Sequence, residues 1–132
     1  MKFLISLFSS KGHIDFSGIE DLDEHWDFFN DISKLADIIV LLLRFFKNKI
    51  ITFVMPTYIN FSEDDFMKII DLLHGSPIKH LDVSNQYFNE EKANAVAELI
   101  GGIETLVKFT AKNARLDTEY NPRPFKIICD AL

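Results

Sequence analysis

The sequence predicts an α/β fold: a short array of strand-helix units with a mostly parallel sheet on one side, helices on the other, and an N-terminal cap. Three observations lead there. Segments opening at Ile51, Ile78 and Leu106 carry apolar residues at the same offsets: Ile51, Val54, Pro56 and Phe61, then Ile78, Leu81, Val83 and Phe88, then Leu106, Phe109, Ala111 and Leu116. Each segment opens with the two-residue alternation of a strand and continues with the spacing of a helix. Finally, a unit of this size cannot bury its apolar face alone, so neighbouring units must stack into one core closed by caps.

The elements follow in order along a single domain of 132 residues, divided into a capping segment (1–50) and three repeats (51–132). In the cap, residues 3–8 and 13–16 read as two strands joined through Ser9-Ser10-Lys11-Gly12 into a β-hairpin, followed by helices over about 23–30 and 33–47. Ile14-Asp15-Phe16-Ser17 echoes Leu81-Asp82-Val83-Ser84, which marks a divergent first unit carrying an insertion. In the first repeat Phe66, Ile69, Ile70 and Leu73 share one helical face, and Ser62 with Asp65 resembles a capping box. In the second, Ala93, Val96, Ala97 and Ile100 form that face and Asn89 stands at the N-cap. Gly75 and Gly101-Gly102 are placed to end these helices. In the third, Asn121-Pro122-Arg123-Pro124 delays the helix until about Phe125.

The segment from Ile78-Lys79-His80-Leu81-Asp82-Val83-Ser84-Asn85-Gln86 through Phe88-Asn89-Glu90-Glu91 and the Ala-rich helix to Ile100 resembles the ribonuclease-inhibitor type of leucine-rich repeat. The resemblance covers about 80 residues and implies an exposed sheet face that binds protein. Gln86, Ile59 and Ala114 stand where that type carries an Asn, so the Asn ladder that ties its turns together is expected to be missing. Pro56 cannot donate a ladder hydrogen bond, so its strand is expected to be irregular.

Composition narrows the function. Fourteen Lys and Arg against twenty Asp and Glu give a net charge of −6, without the basic footprint of a nucleic-acid binder. One cysteine, Cys129, allows neither an internal disulfide nor a cysteine-based zinc cluster, and points to a reducing, cytoplasmic compartment, or a host cytosol for a secreted effector. The apolar run Ile38–Leu43 lies between Asp37 and Arg44 and falls far short of the ~20 residues of a membrane span. No cofactor, metal or membrane partner is expected. His80 and Asp82 share a strand face, yet no set of nucleophile, base and orienting group accompanies them or Cys129, so an enzyme is not expected.

Alternate strand positions should line the exposed sheet face. These are Phe53, Met55 and Thr57 in the first repeat, His80, Asp82 and Ser84 in the second, and Lys108, Thr110 and Lys112 in the third, with Tyr58, Asn85 and Asn113 at the strand ends. Their mixture of aromatic, amide and charged groups suits a protein interface. Five such strands offer only about 300–400 Å², roughly half of one side of a standard interface, so loops or a second subunit must contribute. Acidic residues Glu20, Asp21, Asp23, Glu24, Asp27 and Asp31 suit a basic partner or simply a solvated helix start. The helix over 35–46 is apolar nearly all round, which implies burial on several sides or a homodimer contact.

The expected function is therefore a protein-binding module acting as an inhibitor or regulator of another protein, as effector and toxin-immunity modules of bacteria do. A regulatory domain resembling the anti-sigma-antagonist (STAS) type is the alternative, and a small enzyme the third reading.

Overall fold

The computed structural model describes residues 12–17, 32–56, 59–114 and 122–132. Four parallel strands pair in chain order: β1 (His13–Asp15), β2 (Thr52–Val54), β3 (His80–Asp82) and β4 (Lys108–Thr110). Between them run α1 (Ile32–Phe46, continued by a 3-10 turn at Lys47–Lys49), α2 (Glu63–Leu73) and α3 (Glu90–Gly102), and α4 (Arg123–Ala131) closes the chain. Each helix packs on the next in the same order as the strands pair, so a helix layer runs parallel to the sheet. This is the α/β class that the periodicity predicts. The proposed strand over 3–8 and helix over 23–30 lie outside the described residues, as do the acidic residues 20–31.

The core forms where the inner strand positions meet the helices. Ile14, Phe53 and Leu81 are buried while their strand neighbours face outward, and Phe109, at the end of the array, is half-buried. From the helices come Leu35, Ile39 and Leu43, then Phe66, Ile69, Ile70 and Leu73, then Ala93, Val96 and Leu99, all with at most 1% exposure. Burying a side chain of this size contributes about 1.5–3 kcal/mol, which is why a single unit is unstable and a stack is not. Ser62 Oγ accepts the Asp65 N–H at 3.3 Å and Asn89 Oδ1 accepts the Lys92 N–H at 2.8 Å, as their sequence positions predict. Gly101 and Gly102 instead lie inside the last turn of α3 without positive φ. The fourth helix begins at Arg123, two residues before Phe125, because a proline in the first turn gives up only an N–H that has no intrahelical acceptor.

One sequence expectation reverses. Thr52 pairs with His80 and His80 with Lys108, so the strand period is 28 residues in both steps, whereas aligning Ile51 with Ile78 assumes 27. Ile50, fully buried, is the true counterpart of Ile78. Phe53 and Met55, expected on the exposed face, are consequently buried at 0% and 2%, and Thr52 and Val54 take the outer positions. A slip of one residue exchanges the two faces of a strand. The cause is local: the path from strand to helix is one residue longer in this unit (Phe53 to Phe61) than in the next (Leu81 to Phe88). The helix caps Ser62 and Asn89 therefore keep the 27-residue spacing while the strands do not. Pro56 is buried just beyond the end of β2, where no ladder bond is required of it.

β1 belongs to the same register: His13 pairs with Thr52, Ile14 with Phe53 and Asp15 with Val54. The echo between residues 14–17 and 81–84 is thus a true structural equivalence, with the longer 39-residue step from His13 to Thr52 accommodating α1 and its approach. Strand entry repeats one device three times. The Gly12 carbonyl accepts the N–H groups of Ile51 (2.7 Å) and Thr52 (3.1 Å), the Ile51 carbonyl those of Lys79 (2.8 Å) and His80 (3.2 Å), and the Lys79 carbonyl those of Val107 (2.8 Å) and Lys108 (2.9 Å).

Two backbone positions are demanding. Gly12 has φ +93°, and a methyl group there would overlap the Lys49 carbonyl oxygen. Asn85 and Asn113, equivalent in the 28-residue period, both turn out of their strands in the left-handed region, at φ 65° and 53°. Asn tolerates that conformation through its short polar side chain, and a β-branched residue does not. Gly12→Ala is expected to lower unfolding free energy by more than about 2 kcal/mol, and Asn85→Val by about 1–2 kcal/mol, with Asn85→Gly near neutral, all measured by urea denaturation.

Candidate functional site

The outer face of the sheet is built by the register. Across the strands its first row is His13, Thr52, His80 and Lys108, and its second is Asp15, Val54, Asp82 and Thr110. Beyond the strand ends follow Ser17, Ser84 and Lys112. His13, Asp15, Lys108 and Lys112 are exposed, and the residues between them are half-buried by their neighbours. Adjacent strands lie about 4.8 Å apart, so the Asp15 and Asp82 carboxylates stand roughly 10 Å from one another across β2.

Several side chains of this face are held by their neighbours. His13 Nδ1 and Thr52 Oγ1 lie 2.9 Å apart, and His80 Nε2 and Thr110 Oγ1 3.3 Å apart. Asp15 Oδ1 accepts the Ser17 N–H at 2.8 Å and Asp82 Oδ1 accepts the Ser84 N–H at 2.9 Å, the same turn made twice. Ser84 Oγ in turn accepts the Lys112 N–H at 2.9 Å. The side chains of His80, Asp82 and Ser84 therefore do not bond to one another: the imidazole meets Thr110, the carboxylate takes the backbone N–H of Ser84, and the Ser84 hydroxyl takes the Lys112 N–H, so the side-chain relay that nucleophilic catalysis needs is not formed by them. Cys129 is exposed on α4, in the helix layer on the other side of the sheet from His80. Among the described residues no group of three or more His, Cys, Asp or Glu is placed to hold a metal ion.

Of the residues singled out from sequence, His80, Asp82, Ser84, Lys108, Thr110 and Lys112 lie together on this face, with Asn85 and Asn113 at its rim. Phe53 and Met55 belong to the core, so their expected exposure is overturned. Thr57 and Tyr58 lie outside the described residues. Sequence reasoning missed Thr52 and Val54 through the one-residue slip, and His13 and Asp15 although the echo of residues 14–17 in 81–84 pointed to them.

It also missed the polar clamp that holds one unit against the next. Gln86 is fully buried, and its side-chain amide donates to the Ile59 carbonyl while its Oε1 accepts the Phe61 N–H at 3.1 Å. One glutamine thus ties two turns, although the Asn ladder was expected to be missing. Lys92 lies beside it with 4% exposure, donating from Nζ to the carbonyls of Phe61 at 2.7 Å and Tyr87 at 3.3 Å, with Asn60 Oδ1 at 3.5 Å. Its ammonium also sits 5.1 Å from the centre of the Phe66 ring, a favourable cation-π placement. The signal was available: Phe88, Lys92 and Val96 follow four-residue spacing, so Lys92 falls on the inward stripe of its helix.

Burial lowers the Lys92 pKa below the ordinary lysine value, partly opposed by the Glu63 carboxylate. No family model matches the chain, and no curated protein or solved structure matches it either.

Replacing Lys92 by Met keeps the stem but leaves its carbonyl partners short of a donor, and is expected to cost about 1–3 kcal/mol in chemical denaturation. The pH dependence has a definite sign. The folded state holds this proton less tightly than the unfolded chain, so wild-type stability should rise relative to Lys92→Met as pH climbs from the lowered native value to the ordinary one near ~10.4, and the difference should be level on either side. Paired urea titrations across that range check it.

Proposed function

We propose that this chain is a protein-binding module that engages its partner through the outer face of the sheet and the adjoining turns. The observation that carries the reading is the division of the sheet: inner positions are buried against the helices, fully in β1 to β3 and partly at Phe109, while the outer positions form rows of imidazole, hydroxyl, carboxylate and ammonium groups around the single apolar Val54. The histidines and aspartates among them, held by hydrogen bonds to their neighbours, meet a partner's peptide groups and side chains with little ordering cost. Lys108 on β4, Lys112 just beyond it, and the aspartates on β1 and β3 give the face an uneven charge pattern, which favours a partner of complementary pattern.

The stacked strand-helix units are what the resemblance to the ribonuclease-inhibitor type of leucine-rich repeat implies, and in that setting blocking a partner's own site is a natural mechanism, by analogy of architecture alone. The reading places the module in the cytoplasm, with Cys129 reduced. No helix among the described residues is long and apolar enough to cross a membrane.

Affinity capture with three baits tests the proposal. Wild type and a helix-face control, Lys68→Glu, should recover the same protein, while the double variant His80→Glu/Lys108→Glu should lose it by tenfold or more (about 1.4 kcal/mol or greater) with an unchanged circular dichroism spectrum. Equal recovery by the double variant would refute the face assignment.

A further inference from the structure

The first helix carries an exposed surface unrelated to the sheet face. α1 buries Leu35, Ala36, Ile39, Leu42 and Leu43 against the core, yet Leu41 is 56% and Phe45 78% exposed, although both are large and apolar. They are four residues apart and so lie on one side of the helix, within about 40° of each other. Two exposed charges border them, Asp37 and Arg44, and neither forms an ion pair with a described residue. The two charges are seven positions apart, which places them about 20° apart around the helix and about 10 Å apart along it.

This pattern is complementary to itself. When two copies of α1 pack antiparallel about a two-fold axis, a residue at a given height and lateral side meets its partner at the opposite height on the same side. The midpoint between Asp37 and Arg44 falls beside Leu41. An axis there sets Leu41 against Leu41 of the second copy and Asp37 against Arg44 in both directions. On the other lateral side Phe45 meets Ile38 and the stem of Lys34, an apolar contact next to a cation. Antiparallel helices also oppose their dipoles favourably.

We propose that α1 is a homodimer contact, its occupant a second copy of this chain docked antiparallel across Leu41 with reciprocal Asp37 and Arg44 pairs. The helix face is about 22 Å long and about 10 Å wide, near 220 Å² per copy, well under the ~800 Å² of a standard interface. The association is accordingly reversible and concentration-dependent. It leaves the outer sheet face of both copies free, so it is compatible with the binding role and independent of it.

Sedimentation velocity on the full chain, from about 5 µM to about 500 µM, reads the equilibrium. Wild type should shift from monomer toward dimer with concentration. Asp37→Arg and Arg44→Asp, which set like charges against each other across the axis, should each weaken association about tenfold or more. The decisive arm is the mixture: one Asp37→Arg chain and one Arg44→Asp chain restore both pairs, so an equal mixture should dimerise more strongly than either variant alone, and the double variant Asp37→Arg/Arg44→Asp should behave as wild type. A wild type that stays monomeric throughout overturns the proposal. So do single variants that associate as wild type does, or a mixture that fails to restore dimers, since either result puts the contact elsewhere or gives the face to a different occupant.

Discussion

A single carbonyl oxygen at each strand entry sets the geometry on which everything else rests. Gly12, Ile51 and Lys79 each present one such oxygen to two successive N–H groups of the following unit, and the parallel ladder continues from that point. Backbone groups in a buried sheet must be paired, so this shared acceptor admits only one alignment between neighbours. Once the strands are aligned, Ile14, Phe53, Leu81 and Phe109 fall into one inner row and their neighbours into outer rows. Apolar burial then stabilises the stack, but it is the ladder that decides which side chains are available to be buried. Gly12 is required at the first of these positions because the chain there adopts a positive φ with the Lys49 carbonyl where a side chain would begin.

The turns at the ends of the strands meet a different requirement. They leave carbonyls and N–H groups facing the interior, where an unpaired polar group costs about 1–3 kcal/mol. Gln86 and Lys92 supply partners from the next unit, and no buried side-chain nitrogen or oxygen among the described residues lacks one. Both side chains reach back into the preceding turn, so they hold two units at a fixed separation as well as satisfying them. Phe66 and Phe88, edge to face at 5.6 Å, pack beneath this clamp.

Two surfaces of contrasting chemistry result. The sheet face is mostly polar, and its histidines and aspartates are already engaged with their neighbours, which is the basis for proposing that it recognises another chain. The exposed side of α1 is a narrow apolar stripe bordered by one acid and one base, and suits a copy of itself. They lie on opposite layers of the fold, so occupancy of one does not obstruct the other.

The amino-acid sequence by itself determined the strand-helix alternation, the helix caps at Ser62 and Asn89, the buried stripe of α2, Ala93, Val96 and Ile100 of the α3 stripe (where Ala97 is only half-buried and Leu99 is buried as well), and the equivalence of residues 14–17 with 81–84. These are local matters, set by periodicities of two and of three to four residues and by side chains that bond within their own turn. Only the tertiary structure decided the faces of β2, because the extra residue between Phe53 and Phe61 leaves the apolar pattern compatible with either register and the choice lies with the carbonyl of a neighbouring strand. For the same reason Gln86 and Lys92 emerged as a clamp only when their acceptors, more than 25 residues away in the chain at Ile59 and Phe61, were brought beside them. Hydrogen bonds between units depend on distances through space, and no spacing along the chain encodes them.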